Sequence, residues 1–160
     1  MTDDVKKRLD VVLVAGGKYH DIDFARLELL KLLAEDDRIR TRVYEDYSNL
    51  HAISNADFLI TYTCDVRPTL EQQKVLRDFV ANGKRWLALH GTNSILQFLS
   101  DGRVDCPRVA PIFMETLGSQ FLSHPPIEPY TVTVADGDHH LVEGVEPFET
   151  NDELYLMETH

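Results

Sequence analysis

Two rhythms of apolar residues run along this chain. Leu9 to Ala15 (Leu-Asp-Val-Val-Leu-Val-Ala) is nearly continuous and ends in Gly16-Gly17, the form of a strand buried on both faces. Asp23 to Glu35 changes to helical spacing, with Phe24, Leu27, Leu30 and Ala34 on a stripe that Leu29 and Leu33 widen. Asp21 or Asp23 can cap its first turn. Thr41 to Glu45 and Asp57 to Thr63 read as second and third strands. Thr69 followed by Gln72 has capping-box spacing. The helix it opens turns Leu76, Phe79 and Val80 inward and stops at Gly83, a natural residue after a helix end. Trp86 to Leu89, just before His90-Gly91, reads as a fourth buried strand.

Strands alternating with helices predict βαβ units and an α/β fold with a mostly parallel sheet, joined by right-handed crossovers. After Gly91 the pattern weakens. Asn93 to Leu99 and Val109 to Leu117 read as short helices. Ser123-His124-Pro125-Pro126 is extended, because a residue before proline avoids the helical region. Pro129 to Ala135 alternates like a strand, and Leu154 to Met157 suits another. No repeat or interdomain linker interrupts residues 1–160, which read as one domain.

Charge narrows the partners. Acidic residues outnumber basic ones by 27 to 16, a net charge of −11, and such a field repels nucleic-acid phosphates and anionic lipid. Neither nucleic acid nor membrane is expected as a partner. The N-terminal Met1-Thr2-Asp3-Asp4 does not look like a secretory leader. Two cysteines without a CxxC pair point to free thiols in a reducing, cytoplasmic setting.

Ligands of open parallel sheets bind beyond the strand carboxyl ends, so the residues after each strand carry the chemistry. Gly16-Gly17-Lys18-Tyr19-His20-Asp21 follows the first strand, Tyr62-Thr63-Cys64-Asp65 closes the third and His90-Gly91-Thr92-Asn93-Ser94 follows the fourth. The glycine pair lacks both GxGxxG and Gly-Lys-Ser/Thr; it reads as a tight turn, and no nucleotide cofactor is expected. Imidazoles at strand ends suit acid–base work or metal ligation, which singles out His20 and His90. His124, fixed before two prolines, and the His139-His140 pair join them, while His51 and His160 read as solvent-facing. Asp152-Glu153 can orient a ring or bind a metal. Cys64 has no nucleophile elbow around it and reads as a buried, inert thiol.

These blocks, with Leu117-Gly118-Ser119-Gln120-Phe121, His124-Pro125-Pro126, Asp138-His139 and Asp152-Glu153-Leu154-Tyr155 in that order, resemble the ThuA-like (trehalose-utilisation) family. The resemblance implies a class I glutamine amidotransferase-like fold, a flavodoxin-like three-layer sandwich, and a role in using trehalose or related sugars. Amidotransferases carry a cysteine at the elbow where this chain has His90, so glutamine hydrolysis is not expected. The expected catalytic set is His20, His90, His124, His139 and Glu153. Tyr19, Asp21, Cys64, Asp65, Gly91, Thr92, Asp152 and Tyr155 are expected around the substrate. Which of His139 and His140 faces the site is open. A divalent metal such as zinc on His20, His90 and His124 is a further expectation. Hydrolase, lyase and isomerase chemistry on a small sugar all remain open, as does a non-catalytic sugar-binding or assembly module. The resemblance also implies a further strand and a glycine-rich segment beyond His160. Without them the domain is truncated at its C-terminus and a sheet edge is left for another copy of the chain.

Overall fold

The structure, a computed structural model, describes residues 7–160; the leader reading of Met1 to Asp4 lies outside them. A four-stranded parallel sheet in the order β2-β1-β3-β4 forms the centre, from β1 (Leu9–Gly17), β2 (Ile39–Tyr44), β3 (Phe58–Cys64) and β4 (Arg85–Leu89). Helices α1 (Ile22–Leu33), α2 (Leu50–Asn55), α3 (Leu70–Ala81) and α4 (Pro111–Leu117) complete a flavodoxin-like α/β arrangement.

The apolar run of β1 divides by the two-residue period of a strand. Val11, Leu13 and Ala15 pack on one face with Ile60 and with Ile22, Leu29, Leu30 and Leu33 of α1. Val12 and Val14 pack on the other with Ile53, Leu59, Leu76, Phe79, Phe113 and Met114, under α2, α3 and α4. The helix caps follow the sequence: Asp21 accepts from Phe24 N, and Thr69 and Gln72 form the reciprocal capping box.

Several expectations are corrected. The inward stripe of α1 runs through Ile22, Leu29, Leu30 and Leu33, while Phe24 and Leu27 are exposed. β4 is an edge strand rather than a buried one, with Leu87 52% exposed. Helix α2, with Asn49 as its cap, is too short to show a helical period. The segment after β4 is a 3-10 turn over His90–Asn93, followed by the short strand β5 (Gln97–Phe98) paired with β6 (Val104–Asp105). In place of a helix there, the Leu96 N–H donates to Asp65 Oδ1 at 3.1 Å. Beyond α4, β7 (Ser119–Ser123) pairs antiparallel with β10 (Leu156–Thr159), and β8 (Glu128–Val132) with β9 (Phe148–Asp152). Among the described residues no helix is long and apolar enough to cross a membrane.

Candidate functional site

Register brings the strand ends level: Gly17 lies beside Cys64, and Tyr62 lies between Ala15 and Leu89. The chain can turn there only with small residues. A Cβ on Gly16 would lie 2.0 Å from the Glu45 carbonyl oxygen, and Gly17 has φ +108°. Tyr19, Asp65 and His90 also hold positive φ, at 70°, 56° and 43°. A non-glycine residue in that region costs about 1–3 kcal/mol. Three such residues on one rim mark a place where the fold holds side chains against backbone preference.

His90 is the hub. Its ring lies 4.4 Å from His20, 5.8 Å and nearly parallel to Tyr62, and 5.1 Å from Tyr155. Tyr155 in turn packs on Phe121 at 4.4 Å. The Tyr155 hydroxyl is 3.3 Å from His90 Nε2. Glu153, from the link between β9 and β10, places Oε2 3.8 Å from His90 Nε2 and Oε1 3.6 Å from His124 Nε2. The side chains of His90 and Glu153 are only 27% and 22% exposed. Donor atoms of His20, His90 and Glu153 all lie within 4.8 Å of one another.

Burial and the neighbouring His20 lower the pKa of His90, and the Glu153 carboxylate only partly opposes them. Burial, and then the Glu153 charge, raise Tyr155 above the usual phenol range. Near neutral pH the pair is therefore an imidazole and a phenol. The nitrogen of His124 is assigned by its partner: Nδ1 is 2.8 Å from the Pro125 carbonyl, which can only accept, so Nδ1 carries the proton. Its Nε2 lies 3.6 Å from Glu153 Oε1.

A cavity of about 270 Å³ opens beside this group, lined by Tyr19, His20, Cys64, Phe121, His124 and Glu153 among others. The Tyr19 and Phe98 rings meet at 5.5 Å. Cys64 is buried, and burial pushes its thiol up to about 11. Asp152 lines a second, more open hollow with His90, Thr92 and Tyr130.

Other expected residues also hold the scaffold. Asp65 receives Lys18 Nζ at 2.9 Å on one oxygen and the Leu96 N–H on the other, tying the β1 and β4 loops together. Thr92 is buried and donates to the Leu89 carbonyl at 2.8 Å. It continues a chain from Trp86 Nε1 through the Thr61 hydroxyl that pins the His90 turn. Gly91 is required by packing, since a Cβ would sit 2.9 Å from Thr63 O and 3.2 Å from His20 Nε2. His139 lies on an exposed turn, stacked on His140 at 4.6 Å and accepting from Leu141 N. Phe121, Ser94 and Cys106 also line the cavity; as residues of ordinary core or loop type they carry no functional signal in sequence.

The ThuA profile, described as trehalose utilisation, matches residues 10–160. The chain belongs to the ThuA family. Two ThuA-like crystal structures share its fold. That of a protein from Bacteroides uniformis ATCC 8492 is 16% identical with a TM-score of 0.69, covering 94% of this chain and 62% of its own. That from Parabacteroides merdae ATCC 43184 is 17% identical with a TM-score of 0.61, covering 96% and 64%. This ThuA domain thus spans a little under two thirds of each. Among curated proteins no sequence matches the chain.

Proposed function

We propose that this ThuA domain acts on a small sugar derivative in carbohydrate utilisation, by acid–base chemistry at the His20–His90–Glu153–His124 group. The observation that supports it is the convergence of His20, His124 and Glu153, from separate stretches of chain, on one cavity, with His90 joined to them at 3.8 Å through Glu153 and lining the second hollow with it. In this reading His124 is the base: its ring lines the cavity, and Glu153, 3.6 Å from Nε2, stabilises the imidazolium that forms. The neutral His90 and the Tyr155 phenol polarise a carbonyl or hydroxyl oxygen. Tyr19 and Phe121 offer apolar faces to the C–H side of a sugar ring. The cavity lies just under the roughly 300–1,000 Å³ of drug-sized sites, a scale for one ring and its substituent. A family description in trehalose utilisation supports the substrate class.

The test is a product assay over trehalose and oxidised glucosides, run beside calorimetric titration. Turnover that falls by about 100-fold or more in His124→Ala, within the usual range for loss of an acid–base group, supports the reading. Turnover unchanged in both His90→Ala and His124→Ala refutes it. Binding without product across the panel would instead favour a sugar-binding module on the same fold.

A further inference from the structure

We propose that His20, His90 and Glu153 form a binding site for one divalent transition-metal ion, zinc in the first instance. The three are drawn from the loop after β1, the turn after β4 and the link between β9 and β10, so only the folded chain assembles them. Their donor atoms already lie within 4.8 Å of one another.

A second observation concerns His20 alone. Its Nε2 is fully buried and has no hydrogen-bond partner among the described residues, although a buried polar atom without one costs about 1–3 kcal/mol. Gly91 passes so close that a Cβ there would meet this nitrogen at 3.2 Å. The ring is thus held in place by packing, with a donor atom that the protein itself leaves unused. Imidazole coordination to a cation gives that nitrogen a role.

The donor set selects the ion. Two imidazole nitrogens and one carboxylate oxygen suit zinc and its neighbours in the first transition row rather than calcium or magnesium, which take oxygen. Three protein ligands leave a fourth position for water or a substrate oxygen. The carboxylate also has an outer partner in place. Oε2 faces His90 while Oε1 faces His124 at 3.6 Å, so an ion held through Oε2 leaves Oε1 to orient His124. His124 is then a positioning neighbour of the ion and not one of its ligands. The proposal is independent of the sugar reading, because it concerns ion binding and not turnover.

Protein expressed without an affinity tag, stripped with a chelator and titrated with zinc chloride should take up one equivalent. Cobalt chloride should give a visible absorption band at the same stoichiometry. His20→Ala, His90→Ala and Glu153→Gln should each weaken zinc binding by more than about 100-fold. His124→Ala should cost about 10–100-fold, the range for an outer partner, and exposed His51→Ala should change nothing. X-ray absorption on the zinc-loaded wild-type protein needs no variant: nitrogen and oxygen neighbours near 2.0–2.1 Å without sulfur are expected. No uptake, sulfur ligation by Cys64 or Cys106, or loss of binding in His139→Ala but not in His20→Ala would each overturn the site. Sugar turnover that survives in the stripped protein would leave the acid–base reading standing without the ion.

Discussion

Adding one methyl group at residue 91 tests how tightly the fold and the candidate site are joined. In Gly91→Ala the new Cβ would meet Thr63 O at 2.9 Å, Cys64 Cβ at 3.0 Å and His20 Nε2 at 3.2 Å. Thr63 O is backbone of β3, one of the two central strands of the sheet, and cannot swing aside, so the turn or the His20 ring must move. Overpacking of this kind costs about 1–3 kcal/mol. In a domain of this size each kcal/mol lowers Tm by about 2–4 °C. Urea denaturation is the assay, with an unchanged m-value showing that stability itself has moved. Gly137→Ala is the matched control: a Cβ there meets nothing within 4 Å, so the change should be neutral or slightly stabilising. Displacement of His20 should also weaken zinc binding in Gly91→Ala and not in Gly137→Ala. If the two variants unfold at the same urea concentration, the close packing inferred around His20 is wrong.

Cys64, with its thiol pushed up to about 11, is about one-thousandth thiolate at pH 8; iodoacetamide should label it only after unfolding, and rapid labelling of the native protein would contradict the burial. For His90 the folded pKa lies below 6.5, so the unfolded chain takes up the proton first as pH falls. His90 therefore subtracts stability as pH drops from about 6.5 through its folded pKa, and above 6.5 it has no effect; a urea midpoint whose pH dependence below 6.5 is the same in His90→Asn as in wild type would refute this. Thr92→Val keeps the shape but leaves the Leu89 carbonyl and the Thr61 hydroxyl short of a partner, at about 1–3 kcal/mol, and Thr92→Ser should recover most of it; equal loss in both would point to the methyl group instead. Tyr19→Ala should raise KM for a sugar substrate by about tenfold with little change in kcat, because that ring lines the cavity and packs on Phe98; a fall in kcat alone would reverse that assignment.

Much of this was written in local pattern. The run Val11 to Ala15 divides cleanly between two faces because a strand alternates, and the Thr69–Gln72 capping box depends on four consecutive residues. His20 and His90 could be paired from sequence because parallel strands of matched register end on one rim. Harder to read was anything set by distant chain. The inward face of α1 is chosen by where the sheet lies, which left Phe24 and Leu27 outside and took Ile22 in. Glu153 was singled out beside Asp152 and through the resemblance, but no local pattern shows that it sits between His90 and His124. His139 looked equivalent to the other histidines, but its turn gives it neighbours of its own. Phe98 gave no signal, since it reaches Tyr19 only through the β5–β6 pairing.

The left-handed backbone of Tyr19, Asp65 and His90 has a bearing on engineering. Glycine relieves that conformation at no steric cost, so a screen that scores heat resistance alone should collect glycine at positions 19 and 90, while Asp65 is held by its bonds to Lys18 and Leu96. Each such hit would gain durability while discarding a side chain from the sheet rim. Variants selected that way should outlast the parent on heating yet fail in ion uptake at position 90, which makes those two positions ones to hold constant in any library built on this domain.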